Sequence, residues 1–199
     1  MKYEHQNIFF ISDLHLSHKN VLKFDDRPFK DVNEMHAEFI KRWNSVVNDE
    51  DIVYYLGDLS FGNDTTTKWF LSSIKGKIYF IMGNHDRIHD IAKFGRFEKI
   101  HEYGTEIYVK DEDFKSARGS GGYQQIVLNH YPILSWNRAH YGSIHLHGHC
   151  HQGLTKDPNF DWFYKKKVMD VGCNGINYTP ISYQGIKEIM IEKEISAHH

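Results

Sequence analysis

Histidines are clustered along this chain in a way that favours metal binding. The chain has 15 histidines in 199 residues, and four of them alternate within one short segment: His145, His147, His149 and His151. Clustered imidazoles at neutral pH serve metal binding or proton transfer. His198 and His199 are left out of this argument, because a terminal histidine pair is also what a purification tag leaves.

Three short apolar runs in the first half each end in polar side chains that could act as ligands. These polar groups follow the runs at residues 13–15, 58 and 84–86. Ligands bind beyond the carboxyl ends of the strands in an open α/β sheet, so these groups are expected to meet at one edge. Asp13 and His15 are two residues apart, as are His149 and His151, and an extended chain would place each pair on one face. Glycines precede three of the polar groups, where the backbone must turn or approach another segment closely: Gly57, Gly83 and Gly148.

The predicted ligand set combines carboxylate, amide and imidazole groups: Asp13, His15, Asp58, Asn84, His130, His149 and His151. Oxygen and imidazole ligands without thiolates suit Mn²⁺, Fe, Zn²⁺ or Ni²⁺. They fit neither a cysteine-rich structural zinc site nor an all-oxygen calcium site. Because this set exceeds what a single four-coordinate ion uses, two divalent ions are predicted, with Mn²⁺ favoured and Asp58 as the bridging carboxylate.

Apolar runs that alternate with helical patterns predict parallel strands behind these groups. Three runs are too short and too continuously apolar for surface helices and predict buried strands: residues 7–13, 51–58 and 77–83. Apolar residues at helical spacing predict a helix over 32–47, for which Asp31 and Glu34 form a capping box. A second helix is predicted over 65–74. This order of elements is a βαβαβ unit with parallel strands and right-handed crossovers.

The second half of the chain predicts an antiparallel pair followed by further strands. Residues 106–110 and 125–130 flank a glycine-rich loop around 118–122, which is typical of a hairpin. The remaining predicted elements are strands over 143–151 and 167–173 and a closing helix over 182–194. No repeat, low-complexity segment or linker interrupts the sequence, which is interpreted as one domain over residues 1–199.

Composition excludes several classes of protein. Hydrophobic residues make up 40% of the chain and aromatic residues 15%, enough for a sizeable core, so dominant disorder is excluded. No apolar run approaches the roughly 20 residues of a membrane span. A net charge of −2 argues against a surface built to grip nucleic acid. Two cysteines and an N-terminal segment without the apolar stretch of a signal peptide predict a cytoplasmic protein.

Five polar blocks occur in order along the chain: Asp13-x-His15, Gly57-Asp58, Gly83-Asn84-His85-Asp86, Asn129-His130 and Gly148-His149-x-His151. In this order they resemble the calcineurin-like metallophosphoesterase superfamily, and the resemblance spans most of the chain. It implies a four-layer α/β sandwich, with two mixed sheets flanked by helices, around a dinuclear metal centre. The ligands it implies are Asp13, His15 and His151 on one ion and Asn84, His130 and His149 on the other, with Asp58 between them.

The resemblance also implies roles for residues other than the metal ligands. His85 resembles the histidine that acts in the superfamily as general acid or stabilises the transition state, and Asp86 resembles the partner that orients it. Candidate contacts to the substrate phosphate are His18, which could instead cap the next helix, and the guanidinium groups of Arg87 and Arg27.

Two departures narrow the resemblance within the superfamily. Its protein phosphatases carry an arginine shortly after the Gly-Asp block, and residues 57–63 contain none. A chain of 199 residues also has no room for the large capping domain of the superfamily's DNA-repair nucleases. The sequence is more similar to the small stand-alone branch found in bacteria and phages, which acts on phosphodiesters or small phosphomonoesters.

These observations predict a metal-dependent phosphoesterase that hydrolyses phosphodiester or phosphomonoester bonds of small or nucleotide substrates. The predicted reaction is in-line attack by a metal-bridging hydroxide, with His85 protonating the leaving alkoxide. Two alternatives stay open: a non-catalytic scaffold that binds a partner protein, and a metal-storage or metal-sensing protein. The expected partner is a small phosphate ester or nucleotide, with neither a membrane nor a strong nucleic-acid surface, and the oligomeric state is left open.

Overall fold

Strands and helices alternate through the first half of the chain, and strands dominate the second. A computed structural model describes residues 1–4, 7–115 and 121–197. Its strands are β1 (Lys2–Tyr3), β2 (Ile8–Ile11), β3 (Ile52–Tyr55), β4 (Lys77–Ile81), β5 (Phe97–His101), β6 (Thr105–Lys115), β7 (Gly121–Leu128), β8 (Ile144–His147), β9 (Val168–Asp170) and β10 (Ile181–Ser182). Its α-helices are α1 (Val21–Phe24), α2 (Val32–Val46), α3 (Asp64–Ser73), α4 (Ile88–Ala92), α5 (Asp161–Tyr164) and α6 (Tyr183–Ile191).

The first sheet is mixed and has the strand order β10-β2-β3-β4-β5. Strands β2 to β5 run parallel, with Phe9 beside Val53 and Tyr54 beside Tyr79. Strand β10 pairs antiparallel with β2 at the edge. The predicted βαβαβ unit is confirmed as β2, α2, β3, α3 and β4.

The apolar runs of this sheet are continuous because both of its faces are covered. Phe9 and Ile11 belong to a core that includes residues of α2 and α3. Ile8 and Phe10, on the opposite face, pack in a second core with residues of β6, β7 and β8. Successive strand residues point to opposite faces, so a sheet buried on both sides needs apolar residues throughout.

The second sheet is also mixed and has the strand order β1-β6-β7-β8-β9. Strands β6 and β7 form the predicted antiparallel pair, and the other neighbours run parallel. The pair is longer than predicted, since β6 continues to Lys115 and β7 begins at Gly121. Most of the predicted glycine-rich loop, residues 118–120, lies outside the described residues.

The two sheets and their helices form the four layers that were predicted. Trp43 on α2 and Phe70 on α3 pack against the first sheet. Trp136 and Phe163 cover the outer face of the second sheet beside Val168. Among the described residues, none of the helices combines the length and hydrophobicity needed to cross a membrane.

The capping box predicted for α2 forms only in part. Asp31 Oδ1 accepts hydrogen bonds from the backbone N–H groups of Asn33 and Glu34, each at 2.9 Å. The Glu34 carboxylate accepts from the backbone N–H of Lys30 at 2.7 Å instead of from that of Asp31. The helix still starts where predicted, because the Asp31 side chain satisfies two of its free donors.

Three strands were not predicted from the sequence. Strands β1 and β10 have two residues each, too few to show a pattern. Strand β5 is an edge strand with only partly buried side chains, and Glu98 and Lys99 interrupt its apolar residues. Such strands are defined by their pairing rather than by their own composition.

Candidate metal centre

The ligand-bearing segments leave the sheet earlier than predicted and turn into left-handed backbone. Strands β2 and β3 end at Ile11 and Tyr55, and β8 ends at His147. Positive φ angles then occur at five predicted ligands: Asp13 (60°), His15 (49°), Asp58 (59°), His149 (69°) and His151 (46°). The prediction that extended backbone orients the pairs 13/15 and 149/151 is therefore wrong. Left-handed backbone is costly for residues other than glycine and is typical of functional sites.

Two glycines allow the ligand-bearing loops to approach one another. A Cβ atom on Gly57, whose φ is 96°, would lie 2.6 Å from the backbone nitrogen of Gly83. A Cβ atom on Gly83 would collide with Oδ1 of Asp58. The predicted close approach at these glycines is thus present.

Asp13, His15 and His151 form the first group of candidate ligands. The Nε2 atoms of His15 and His151 lie 2.8 Å apart. Asp13 Oδ1 lies 3.6 Å from Nε2 of His151 and 3.8 Å from Nε2 of His15. This oxygen is buried and has no hydrogen-bond partner among the described residues. Such an unpartnered oxygen is expected of a metal ligand.

Asp25 fixes the ring of His151 from outside the group. The Nδ1 atom of His151 lies 2.9 Å from Oδ2 of Asp25, so it donates there and turns Nε2 towards Asp13 and His15. Burial opposes the charge on His151, but the nearby carboxylates of Asp13 and Asp25 raise its pKa to about 10. Burial lowers the pKa of His15 to about 3. One proton therefore lies between the Nε2 atoms of the two imidazoles. A metal ion would compete with this proton for the same nitrogens.

Asp58, His130 and His149 form the second group, and Asn84 lies among them. His130 Nδ1 donates to the Leu56 carbonyl at 2.7 Å, which leaves Nε2 facing Asn84 Oδ1 at 3.0 Å. His149 Nδ1 lies 2.9 Å from the same Asn84 oxygen.

The Asp58 carboxylate lies between the two groups. Its Oδ2 is 3.5 Å from Nε2 of His130 and 3.7 Å from Nε2 of His15. Oxygen and imidazole donors thus converge in two sets with a shared carboxylate. Together with the unpartnered Asp13 oxygen, this donor set fits two divalent ions of the Mn²⁺, Fe or Zn²⁺ type.

Asp86 binds backbone groups and not the His85 ring that it was predicted to orient. Its carboxylate accepts from the backbone N–H groups of Asp58 at 2.7 Å, Gly83 at 2.9 Å and Leu59 at 3.1 Å. Burial raises the pKa of Asp86, although these donors oppose the shift. Asp86 therefore ties the loops after β3 and β4 together.

The His85 ring is exposed at the edge of the site. Its centroid lies 5.7 Å from that of His15 and 4.9 Å from that of Phe61. The backbone N–H of His85 donates to Asp58 Oδ1 at 2.9 Å, which fixes the segment that carries the ring. No hydrogen bond to the ring itself occurs within the described residues, so both of its nitrogens remain available to a substrate.

Arg27 cannot be the phosphate contact that was predicted. Its side chain is fully buried and donates to the carbonyl oxygens of Asp13 at 2.9 Å and Leu14 at 2.7 Å. The guanidinium also pairs with Asp25 Oδ2 at 3.1 Å. Arg27 thus stabilises the left-handed Asp13 loop and holds the carboxylate that orients His151.

The two other predicted phosphate contacts lie at the surface of the site. His18 Nδ1 accepts from the backbone N–H of Val21 at 3.2 Å, so the alternative role of capping the next helix is realised. His18 also lines the same cavity as His15 and His85. Arg87 is exposed just before α4 and lines an adjoining cavity with His85.

His145 and His147 belong to the histidine cluster but not to the ligand groups. The His147 ring contacts the Gly148 carbonyl through Nδ1 at 2.8 Å and the Tyr164 hydroxyl through Nε2 at 3.1 Å. His145 Nε2 accepts from the backbone N–H of Ile133 at 3.0 Å. Both rings are fully buried, so these histidines support the core of the second sheet.

Asp25 is the residue of this site that sequence reasoning missed. It follows α1 in a run of polar residues, far along the chain from His151, and no spacing rule connects the two. Their contact, and that of Arg27 with the Asp13 loop, depends on how the loops fold over one another. The polar residues that follow the strands, by contrast, could be predicted from the sequence.

Comparison with known proteins identifies a family and several relatives. A family model described as calcineurin-like phosphoesterase matches residues 6–175. The chain is 37% identical over 191 residues to an uncharacterized protein of Methanocaldococcus jannaschii, covering 94% of this chain and 93% of that protein. It is 29% identical over 167 residues to the Gene 66 protein of Mycobacterium phage L5, covering 74% of this chain and 79% of that protein.

A solved structure shares the fold. It is that of a protein of unknown function from Aquifex aeolicus, with a TM-score of 0.65 and 20% identity, covering 93% of this chain and all of that one. With the family match over most of the chain and two groups of candidate metal ligands at the strand ends, the chain belongs to the calcineurin-like phosphoesterase family of metal-dependent phosphoesterases.

Proposed function

We propose that the protein hydrolyses small phosphodiesters at a centre of two divalent ions, with Mn²⁺ favoured. The observation that carries the proposal is the Asp58 carboxylate between the two ligand groups, beside the exposed imidazole of His85. A shared carboxylate suits ions close enough to act together on one phosphate.

In this proposal the side chains divide the work between binding and proton transfer. The first ion would be held by Asp13, His15 and His151, the second by Asn84, His130 and His149, with Asp58 shared. Two such ions polarise the phosphoryl oxygen and lower the pKa of the attacking water. The His85 imidazole donates a proton to the leaving alkoxide, since it faces the same cavity as the ligands.

The surroundings of the centre favour a diester over a monoester. The cavity that is lined by the candidate ligands His15, His149 and His151 has a volume of about 220 Å³. It adjoins a larger cavity of about 690 Å³, which shares Asp25 and His151 with it, and a third of about 250 Å³, which shares His85. A diester has an organic group on each side of its phosphate, and the two adjoining cavities offer space for both groups.

The acid role of His85 is tested by comparing two variants on two leaving groups, with metal content measured in each. His85→Ala should retain both ions and lose about 10²–10⁴-fold in rate on a dialkyl diester. The loss should shrink on a nitrophenyl diester, whose leaving group needs little protonation. His149→Ala should lose metal and be impaired similarly on both substrates, because a missing ion weakens the whole reaction.

Other results would contradict the proposal. Equal losses on both leaving groups in His85→Ala, with the metals retained, would make His85 a phosphate-binding group and not the acid. Loss of metal in His85→Ala would mean that His85 is a ligand. If the wild-type protein, saturated with Mn²⁺, hydrolysed no phosphate ester, the scaffold alternative would replace the enzyme.

A further inference from the structure

Two exposed phenylalanines line the cavity that is also lined by three of the candidate metal ligands, His15, His149 and His151. The Phe24 side chain is 75% exposed and that of Phe61 is 47% exposed. Both line the cavity of about 220 Å³ together with His15, His85 and His151. Scattered exposed apolar residues are normal on protein surfaces, but these two share one cavity with the reacting groups.

Both rings are carried by segments with fixed backbones. Phe24 is the last residue of α1, which is anchored by the buried side chain of Val21. Phe61 follows β3, and its backbone N–H donates to the Leu16 carbonyl at 2.8 Å. The exposure of the two rings therefore results from a defined placement at the cavity.

The His18 ring lies between the two phenylalanines. Its centroid is 4.6 Å from that of Phe61 and 6.2 Å from that of Phe24, edge to face in both cases. Because His18 Nδ1 accepts from the Val21 backbone, the neutral ring carries its proton on Nε2. The wall of the cavity thus includes two exposed aromatic rings with the ring of His18 between them.

From this arrangement we infer that Phe24 and Phe61 form a subsite for the nucleobase of the substrate, which is then a nucleoside phosphodiester. Every base has a π-face, so aromatic side chains beside a phosphate-binding centre bind bases by stacking. The inference rests on the proposed function and adds the substrate class to it.

The charges around the subsite indicate a small nucleotide and not a polynucleotide. The adjoining cavity of about 690 Å³ is lined by Lys156 but also by Asp25 and Asp26. A track for a nucleic-acid backbone needs a line of basic side chains, and here the cavity is lined by a single lysine together with the acidic side chain of Asp26. The substrate is therefore of mononucleotide or dinucleotide size.

The test compares two diesters that share a leaving group and differ in the other arm: thymidine 5′-(4-nitrophenyl phosphate) and methyl 4-nitrophenyl phosphate. At Phe24 and Phe61, leucine keeps the apolar volume and removes the π-face, whereas tyrosine keeps the π-face. Tyr103→Leu serves as the control, since Tyr103 is 85% exposed and lies outside the cavities that border the centre. Binding of thymidine 5′-monophosphate is measured by calorimetry in the His85→Ala background, where turnover is slow.

Phe24→Leu and Phe61→Leu should each lower kcat/KM for the thymidine ester relative to the methyl ester by about 5- to 150-fold, mainly through KM. Each should weaken thymidine monophosphate binding by a similar factor, and the tyrosine variants should restore both quantities. An unchanged substrate ratio and unchanged binding in both leucine variants would overturn the inference while leaving the diesterase intact. Absence of turnover of either diester by the wild-type protein would refute the proposed function itself.

Discussion

At the scale of single residues, Asp58 is the carboxylate that faces both groups of candidate ligands. Asp58→Ala should abolish activity and release at least one metal equivalent, because it removes the carboxylate that faces both ligand groups. Elemental analysis of Mn²⁺-saturated protein after gel filtration measures this. Asp49→Ala, at an exposed turn, should retain both ions, and two ions retained in Asp58→Ala would contradict the assignment.

Asp25 provides a second test at this scale, one that does not remove a ligand. Asp25→Asn should weaken metal binding about 10- to 100-fold, because a carboxylate that accepts from a ligand imidazole fixes its orientation and raises its basicity. Metal titration followed by calorimetry measures the affinity. Asp26→Asn, at the adjacent exposed residue, should leave it unchanged. Equal affinities for the two variants would show that Asp25 only stabilises the loop.

Most residues of the site could be predicted from the sequence because residue types at strand ends carry the information. Asp13, Asp58 and Asn84 each follow a buried run, and parallel strands bring such ends together. The backbone conformation that orients these side chains could not be predicted, since left-handed conformations at aspartate and histidine depend on packing around the loop. Arg27 shows this best: its buried guanidinium holds the Asp13 loop, although its type and position also suited a phosphate contact.

At the scale of elements, the last helix is tied to the second sheet by charge. Asp111 on β6 accepts from Lys187 on α6 at 2.8 Å and from the Tyr183 hydroxyl at 2.6 Å. Burial alone would raise the pKa of Asp111, but these hydrogen bonds hold it below its ordinary value. The ionised carboxylate therefore stabilises the fold fully at pH values above the pKa that the group has in the unfolded chain, near 3.9. This stabilisation is lost as the pH falls through the lower pKa that the group has in the folded protein.

Asp111→Asn should accordingly reduce the free energy of unfolding by roughly 1–3 kcal/mol at pH 7, and the difference from wild type should shrink as the pH falls below about 3.9 and through the lower folded pKa. Urea denaturation across this pH range measures it. Asp113→Asn is the matched control, because Asp113 also pairs with Lys187 at 3.0 Å but is highly exposed, and exposed ion pairs contribute little. A constant difference at every pH would refute the charge-based account.

The elements differ in how far their sequences determine them. Strands β2, β3 and β4 are continuous apolar runs between helical patterns, so burial on both faces could be predicted. Strands β1 and β10 are too short to carry a pattern and form because a partner strand is available. The predicted strand over 143–151 was too long, since alternating histidines resemble an extended segment even where the chain turns after His147.

At the scale of the whole molecule, the candidate ligands connect the two sheets. Asp13, Asp58 and Asn84 follow strands of the first sheet, while the ligands His130, His149 and His151 follow strands of the second. Bound ions would therefore hold the sheets together at this edge as well as serve catalysis.

Metal removal should lower the melting temperature for that reason. A ligand that binds only the folded state raises the free energy of unfolding by about 2.7 kcal/mol when its concentration is a hundred times Kd. For a protein of this size, that corresponds to a rise in melting temperature of about 5–11 °C. Calorimetric scans with and without a chelator measure the shift, and added Mn²⁺ should reverse it. His149→Ala should show a smaller shift, and an unchanged melting temperature after complete metal removal would contradict the prediction.

The pairing of β2 with β10 has a consequence for the order in which the chain is synthesised. Strand β2 comprises residues 8–11, and its neighbour on one side, β10, comprises residues 181–182. At translation rates of about 5–20 residues per second, roughly 10 to 30 seconds separate the two strands as they leave the ribosome. During that interval β2 has an unpaired edge, and such edges pair readily with other chains. The nascent protein is therefore most prone to aggregation before its last helix emerges, and its dependence on chaperones should be greatest there.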